Sequence, residues 1–233
     1  MAQRRPSTTK AKRKAAAVTS PRVLVVLNGK GGVGKTTTAI NLAAALAGKD
    51  SEPNPVLLVD SDPQKSATWW FERSEGAMRF DLAQETDPAL LSELRQLSDY
   101  SLVVVDTPPA LASDALKSVI PAADYVVLPT PPAPMDLTAL IETVKEAVMP
   151  AQVDYRVLLT RVDPRSLGEA LEAQKTLMEL GIPACNAFVR AYKAHERAAL
   201  DGVSVLQWRG KNAREAEADY RRVAEEIQRD WRD

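Results

Sequence analysis

Short runs of wholly apolar, mostly β-branched residues alternate along this chain with longer stretches whose apolar positions recur every three or four residues. The short runs predict strands at residues 22–27, 55–60, 102–106, 124–129 and 154–160, with a short edge strand at 80–83 and a last strand at 184–189. The longer stretches predict helices at 36–49, 64–75, 88–98, 113–122, 137–149, 166–180, 193–201 and 212–231. Leu90, Leu91, Leu94 and Leu97 read as one side of the 88–98 helix, and Gly181 as the stop of the 166–180 helix. Strands that are apolar over their whole length belong to a parallel sheet covered on both faces. The pattern therefore predicts an α/β fold, a doubly wound, mostly parallel sheet with helices on both faces. It shows no internal repeat and no interdomain linker.

Charge changes this picture at one end. The chain of 233 residues carries a formal net charge of −1. Residues 1–22 nevertheless hold Arg4, Arg5, Lys10, Lys12, Arg13, Lys14 and Arg22 and no acid, leaving the rest at −8. Without apolar periodicity, residues 1–21 read as a basic disordered tail ahead of one domain at 22–233. The tail is either an inert solvated leader or an electrostatic tether to a polyanion. Cys185 and His195 are the only residues of their kinds, which excludes a disulfide scaffold, a zinc ribbon or an iron–sulfur cluster built from this chain alone. A lone thiol fits a reducing cytoplasm. No stretch has the length of a membrane span.

The chemistry begins at Gly29-Lys30-Gly31-Gly32-Val33-Gly34-Lys35-Thr36. A glycine, four residues and Gly-Lys-Thr between a strand and a helix make a phosphate loop. Its glycines let backbone N–H groups turn toward phosphate oxygens, and the helix N-terminus adds its dipole. Lys35 is expected on the β- and γ-phosphates and Thr36 on Mg²⁺. Two further strands end in carboxylates, where ligands of open α/β sheets gather. Asp106 follows four apolar residues and is expected to hold the metal through water. In Asp60-Ser61-Asp62-Pro63-Gln64, one carboxylate faces the metal shell and the other holds the attacking water. A nucleotide's phosphates and Mg²⁺ are the expected ligands of this loop.

Three motifs give the chain a resemblance to the ParA/MinD group of deviant Walker ATPases. They are residues 30–37, with Thr37 closing the loop motif, residues 60–64, and residues 103–109. Softer matches lie at 129–136 and at 159–161. The resemblance implies that Lys30 crosses an ATP-sandwiched homodimer to the facing subunit's phosphates, as an arginine finger does. It makes Asp62 the residue that orients water and Asp106 the Mg²⁺-linked residue. Thr160 and Arg161 fall where the family contacts the base, although Arg161 reads equally as a surface residue.

Branches of that family that need cysteine ligands are excluded. Residues 212–233 hold five Arg and seven acids, unlike a basic membrane-inserting helix, so no membrane docking is expected. A tail this short has no room for an operator-binding domain. The short type remains, and it implies an ATPase that binds DNA without sequence preference, associates with the nucleoid in the cytoplasm and segregates or positions cargo. The cargo is a plasmid, a chromosome or a large protein assembly such as a microcompartment, and a small adaptor protein stimulates hydrolysis. The expected DNA contacts are Arg190, Lys193, Arg197, Arg209, Lys211, Arg214, Arg221 and Arg222, with a solvated helical face as the plainer reading. The alternative function is a metabolic ATP-dependent ligase on the same fold, against which the Lys30 and 60–64 motifs speak. Trp69, Trp70 and Phe71 read as core or dimer packing, and the prolines at 129–134 as a stiffener beside the nucleotide.

Overall fold

A computed structural model of the protein describes residues 20–49 and 52–232; residues 1–19 of the predicted tail lie outside it. The strands are β1 (Arg22–Val26), β2 (Gly48–Lys49), β3 (Glu52–Pro53), β4 (Val56–Asp60), β5 (Asp81–Gln84), β6 (Leu102–Asp106), β7 (Tyr125–Thr130) and β8 (Asp154–Leu159). The helices are α1 (Lys35–Leu46), α2 (Ser66–Glu72), α3 (Pro88–Leu91), α4 (Asp114–Val119), α5 (Pro134–Thr143), α6 (Leu167–Glu179), α7 (Ala194–Leu200) and α8 (Ala213–Asp230). Six strands pair in the order β5-β4-β6-β1-β7-β8, every pairing parallel. β2 and β3 form a separate antiparallel pair.

Alternation of side chains explains the all-apolar strands. In β1, Leu24 and Val26 enter one core with α1, α7 and α8, while Val23 and Val25 enter the other with α3, α4, α5 and α6. Asp60 is in register with Asp106, and Val26 with Asp106, so β1, β4 and β6 end level on one rim. The phosphate loop and both acidic turns leave from that rim.

The structure differs from the sequence expectation in four places. The predicted helix at 36–49 ends at Leu46, because Gly48 takes φ +78° and turns the chain into β2. The predicted 88–98 helix stops after α3, followed by a short 3₁₀ turn at Leu94–Gln96. Ser92 Oγ bonds back to the Ala89 carbonyl at 2.6 Å, and Leu90, placed on the apolar side, is 52% exposed. The predicted 137–149 helix starts earlier, with Pro134 in its first turn, and passes into a π turn at Val144–Val148. Residues 184–189 are not a strand. The segment lies along β8, with Cys185 and Val189 donating to the carbonyls of Val157 and Leu159. Between them the N–H groups of Asn186 and Ala187 turn to the Glu226 carboxylate of α8, at 2.8 and 2.6 Å, so the ladder is interrupted.

Candidate nucleotide site

Gly34 precedes α1 with φ +98°, a left-handed conformation that a side chain would strain. α1 then opens on Lys35 with its first N–H groups free of side-chain caps, the arrangement that attracts phosphate. The loop is braced from three sides. Thr160 Oγ1 donates to the Val33 carbonyl at 2.8 Å, and Arg161 Nη1 to the Gly32 carbonyl at 3.0 Å. Asn28 Oδ1 accepts from the Lys30 N–H, while Asn28 Nδ2 donates to the Pro129 carbonyl. The proline run thereby touches the strand end that feeds the loop. Gly29 N–H reaches Thr143 Oγ1 of α5 at 3.4 Å.

Two clefts meet on this loop. One, about 630 Å³, is lined by Gly31, Lys35, Thr36, Thr37 and Asp62, with Trp69 and Pro109 beside them. The other, about 340 Å³, is lined by Thr160, Arg161, Arg190, Tyr192 and Tyr220. Gly32, Gly34 and Thr37 belong to both. The cleft that holds Lys35 and Thr36 and the cleft beside Thr160 and Arg161 thus share the same glycines. Thr160 and Arg161 border the second cleft, but their measured contacts are to the loop backbone.

The acidic residues separate by their partners. Asp60 is fully buried; Oδ1 accepts the Asp62 N–H, and Oδ2 accepts both the N–H and the hydroxyl of Thr68 at 2.8 Å. It fixes the start of α2. Asp62 lines the phosphate cleft, with Oδ1 accepting the Gln64 N–H. Asp106 is fully buried and neither of its oxygens has a well-formed hydrogen bond. Burial pushes its carboxyl up to about 7; the Thr36 hydroxyl and Lys35 oppose that rise, and Asp60 and Asp62 add to it. Lys35 Nζ donates to the Lys30 carbonyl at 3.0 Å, and burial pulls its ammonium below the ordinary lysine range against the pull of Asp106 and Asp62. A buried carboxylate without a partner, beside a threonine hydroxyl and a phosphate-binding lysine, fits a hydrated divalent cation. Asp106 and Thr36 would hold Mg²⁺ there, and the ion would offset negative charge on the phosphates.

Lys30 carries a contact that sequence reading missed. Its ammonium pairs with Asp136 Oδ1, in the first turn of α5, at 2.6 Å, with 42% of the lysine side chain exposed. Asp136 closes the softer family match at 129–136, which was its one sequence signal. Thr68 gave none, because its role depends on α2 folding back over β4.

The predicted DNA set divides. Arg190 is engaged within the domain: Nε and Nη2 clasp buried Asp219, with 2.7 Å from Nη2 to Oδ1, and the residue lines the second cleft. A guanidinium committed to a buried carboxylate is not a free phosphate contact. Arg222 lies 3.7 Å from the same Asp219 and Arg221 pairs with Glu217, although both remain exposed. Arg209 donates to the Leu206 and Trp208 carbonyls. Lys193, Arg197, Lys211 and Arg214 are exposed, and none is in an ion pair among the described residues. Trp70 is core, donating Nε1–H to the Val203 carbonyl, and Phe71 packs on Phe80. Trp69, by contrast, is 45% exposed at the cleft rim under the Arg73 guanidinium.

Comparison with known proteins gives this geometry a family. The CobQ/CobB/MinD/ParA nucleotide-binding domain matches residues 24–205. The maintenance of carboxysome distribution protein A of Gloeobacter kilaueensis is 73% identical over 212 residues, covering 91% of this chain and 96% of that protein. The chromosome-partitioning ATPase Soj of Thermus thermophilus is 34% identical, over 66% of this chain and 75% of its own. Among solved structures, the septum site-determining protein MinD of Pyrococcus horikoshii with Mg-ADP aligns with a TM-score of 0.69 at 20% identity, covering 89% of this chain and 96% of that one. A phosphate loop opening α1, an unpaired aspartate at the end of β6 and a parallel sheet shared with MinD place the chain in the CobQ/CobB/MinD/ParA nucleotide-binding family, as a ParA-like positioning ATPase that uses ATP and Mg²⁺.

Proposed function

We propose that the protein forms an ATP-sandwiched homodimer, binds DNA non-specifically in that state, and positions cargo on the nucleoid under the control of a stimulating partner. The observation that carries this reading is the division of labour between the two lysines. Lys35 is buried in the phosphate cleft, whereas Lys30, from the same loop, lies outside that cleft's lining, pairs with Asp136 and is half exposed. A half-exposed cation suits a facing subunit's phosphates, where it would offset charge on the transferring group. Asp62 orients the attacking water, Lys35 and Thr36 hold phosphate and metal, and Asp106 anchors the metal's water shell. Thr160 and Arg161 shape the base cleft by bracing the loop that separates it from the phosphates. Lys193, Arg197, Arg209, Lys211, Arg214, Arg221 and Arg222 supply phosphate contacts on DNA. The name of the Gloeobacter relative points to carboxysomes as the cargo class.

The test is light scattering together with salt-sensitive co-sedimentation on random duplex DNA, with and without ATP. The wild type is expected to dimerise and to gain DNA binding with ATP. Lys30→Ala is expected to retain nucleotide but to lose both the dimer and hydrolysis. A Lys30→Ala protein that dimerises normally on ATP removes the lysine from this role.

A further inference from the structure

Two adjacent tryptophans of α2 have opposite fates. Trp70 is buried, with Nε1–H on the Val203 carbonyl at 3.1 Å. Trp69 is 45% exposed and lines the same cleft as Lys35, Thr36 and Asp62. The backbone that carries it is fixed on both sides. Thr68 gives its N–H and its hydroxyl to Asp60 Oδ2 at 2.8 Å, and Asp60 is in register with Asp106. At the other end of α2, the turn after α7 lies so close that a Cβ on Gly202 would come within 2.2 Å of the Arg73 carbonyl oxygen. The Arg73 guanidinium lies over the Trp69 ring, 4.2 Å from its centroid. Arg73 is exposed and is in no ion pair among the described residues. A large ring held still in solvent, with a free cation stacked on it, has the composition of an interface centre, where Trp and Arg carry most of the energy.

The cleft indicates what covers the ring. Trp69 does not line the cleft beside Thr160 and Arg161, so a base seated there lies outside its reach as a lining residue. It borders the phosphate side, together with the apolar Pro109 and Ala199. A subunit that brings its own lysine to these phosphates has to close over this cleft and exclude water from it. Its surface then meets the border on which Trp69 stands, and two-fold symmetry makes the contact twice. We propose that Trp69, with Arg73 stacked on it, is a packing anchor of the ATP-bound homodimer, covered by a second copy of this chain when the two phosphate clefts close on each other. The inference rests on the ATP-dimer reading and adds to it a named contact outside the phosphate loop. Asp60 ties the anchor to the strand end beside the metal site, so its position is set before the facing subunit arrives and little ordering is needed on docking. Arg73 calls for a carboxylate or a carbonyl on the facing surface.

Acrylamide quenching of tryptophan emission tests this on the full-length protein with Mg²⁺ and a non-hydrolysable ATP analogue. The chain has four tryptophans, so Trp69→Phe supplies the signal to subtract. The Trp69 component is expected to become shielded with the analogue, increasingly so as protein concentration rises, and to stay open with ADP. By light scattering, Trp69→Ala is expected to weaken the analogue-induced dimer about tenfold or more, and Arg73→Ala to weaken it less. Both variants are expected to bind the analogue as monomers with wild-type affinity, and circular dichroism reports their fold. Should Trp69→Ala fail to fold, the quenching series on wild type and Trp69→Phe still decides. A Trp69→Ala protein that dimerises with wild-type affinity overturns the proposal, as does a Trp69 that stays open in the dimer. Shielding independent of protein concentration overturns it in favour of the bound nucleotide, and shielding that requires added duplex DNA overturns it in favour of a DNA contact. Failure of the underlying reading shows separately, as wild-type protein that binds the analogue and stays monomeric at every concentration.

Discussion

At the residue scale the site is governed by one carboxylate that the fold leaves without a partner. Asp106 ends an apolar strand, fully buried, with its carboxyl pushed up from 3.8 to about 7 chiefly by burial. An acid whose folded value is raised keeps its proton in the folded chain where the unfolded chain has already lost it. Stability of the nucleotide-free protein therefore falls as pH rises from about 4 to about 7, and the full penalty stands above that window. Asp106→Asn removes the charge and keeps the shape. It is expected to raise the melting temperature of nucleotide-free protein at pH 8, with the gain shrinking as pH falls and vanishing near pH 4, while Mg²⁺-dependent hydrolysis is lost. Thermal scans of both proteins across that pH range, without nucleotide, measure this; a gain equal at both ends removes Asp106 as its cause. Asp62, which lines the cleft beside Lys35 and Thr36, is proposed to orient the attacking water. Asp62→Ala is expected to keep ATP and the dimer while stimulated turnover drops more than about tenfold, a barrier increase above ~1.4 kcal/mol. A smaller drop removes it from the attacking water.

At the element scale, α8 substitutes for part of a strand. Glu226 takes the N–H groups of Asn186 and Ala187, and Asp219 holds Arg190 by its backbone N–H and its guanidinium. Glu226→Ala leaves the buried Ala187 N–H unpaired, at a cost of roughly 1–3 kcal/mol, while the N–H of exposed Asn186 can turn to water. Urea unfolding is expected to register a loss in that range, with Glu226→Gln recovering part of it through its remaining oxygen. A loss below about 1 kcal/mol would mean that the segment re-pairs with β8 instead. This exchange marks the limit of what the chain's pattern reveals. β1, β4, β6 and β7 were legible by their apolar interiors and β8 by its buried second half, Val157, Leu158 and Leu159, and the phosphate loop because its spacing permits few other folds. Residues 184–189 have the same apolar look, but their hydrogen bonds depend on an acid some forty residues downstream. The 88–98 stretch had its leucines at helical spacing, yet Ser92 competed for the backbone and ended the helix locally. Lys30 was identified by its motif. Its pairing with Asp136 was not, because it joins the loop after β1 to the helix after β7, and only the sheet order makes those elements neighbours.

Across the whole molecule, the end of α8 closes on the strand starts opposite the nucleotide rim. Asp230 binds Arg156 of β8 and the Tyr125 hydroxyl of β7. Arg22 of β1 donates to the Trp231 carbonyl and lies 5.1 Å from its ring centroid, while Tyr125 meets that ring edge-on. The basic segment at 1–19 therefore joins the domain beside the C-terminal end of α8. Lys211 and Arg214 sit at the other end of α8, a helix length of roughly 27 Å away. Under the proposed function the two sets of cations contribute separately to DNA binding: the set on the domain would act in the ATP dimer, and the N-terminal set in either state, since it needs no second subunit to be complete. Deleting residues 1–20 removes Arg4, Arg5, Lys10, Lys12, Arg13 and Lys14, six of the seven cations ahead of the domain. Each cation withdrawn from a DNA phosphate lowers the slope of log affinity against log salt by ~0.9. The truncated protein is expected to bind DNA more weakly both with and without ATP, to show a flatter salt slope, and to hydrolyse ATP at nearly the basal rate of the full chain. DNA titrations of both proteins at several salt concentrations, in each nucleotide state, together with basal ATPase assays, measure all three. Equal slopes and equal affinities would assign the DNA surface wholly to the C-terminal third, whereas a difference confined to the ATP state would make the N-terminal cations part of the dimer's own surface.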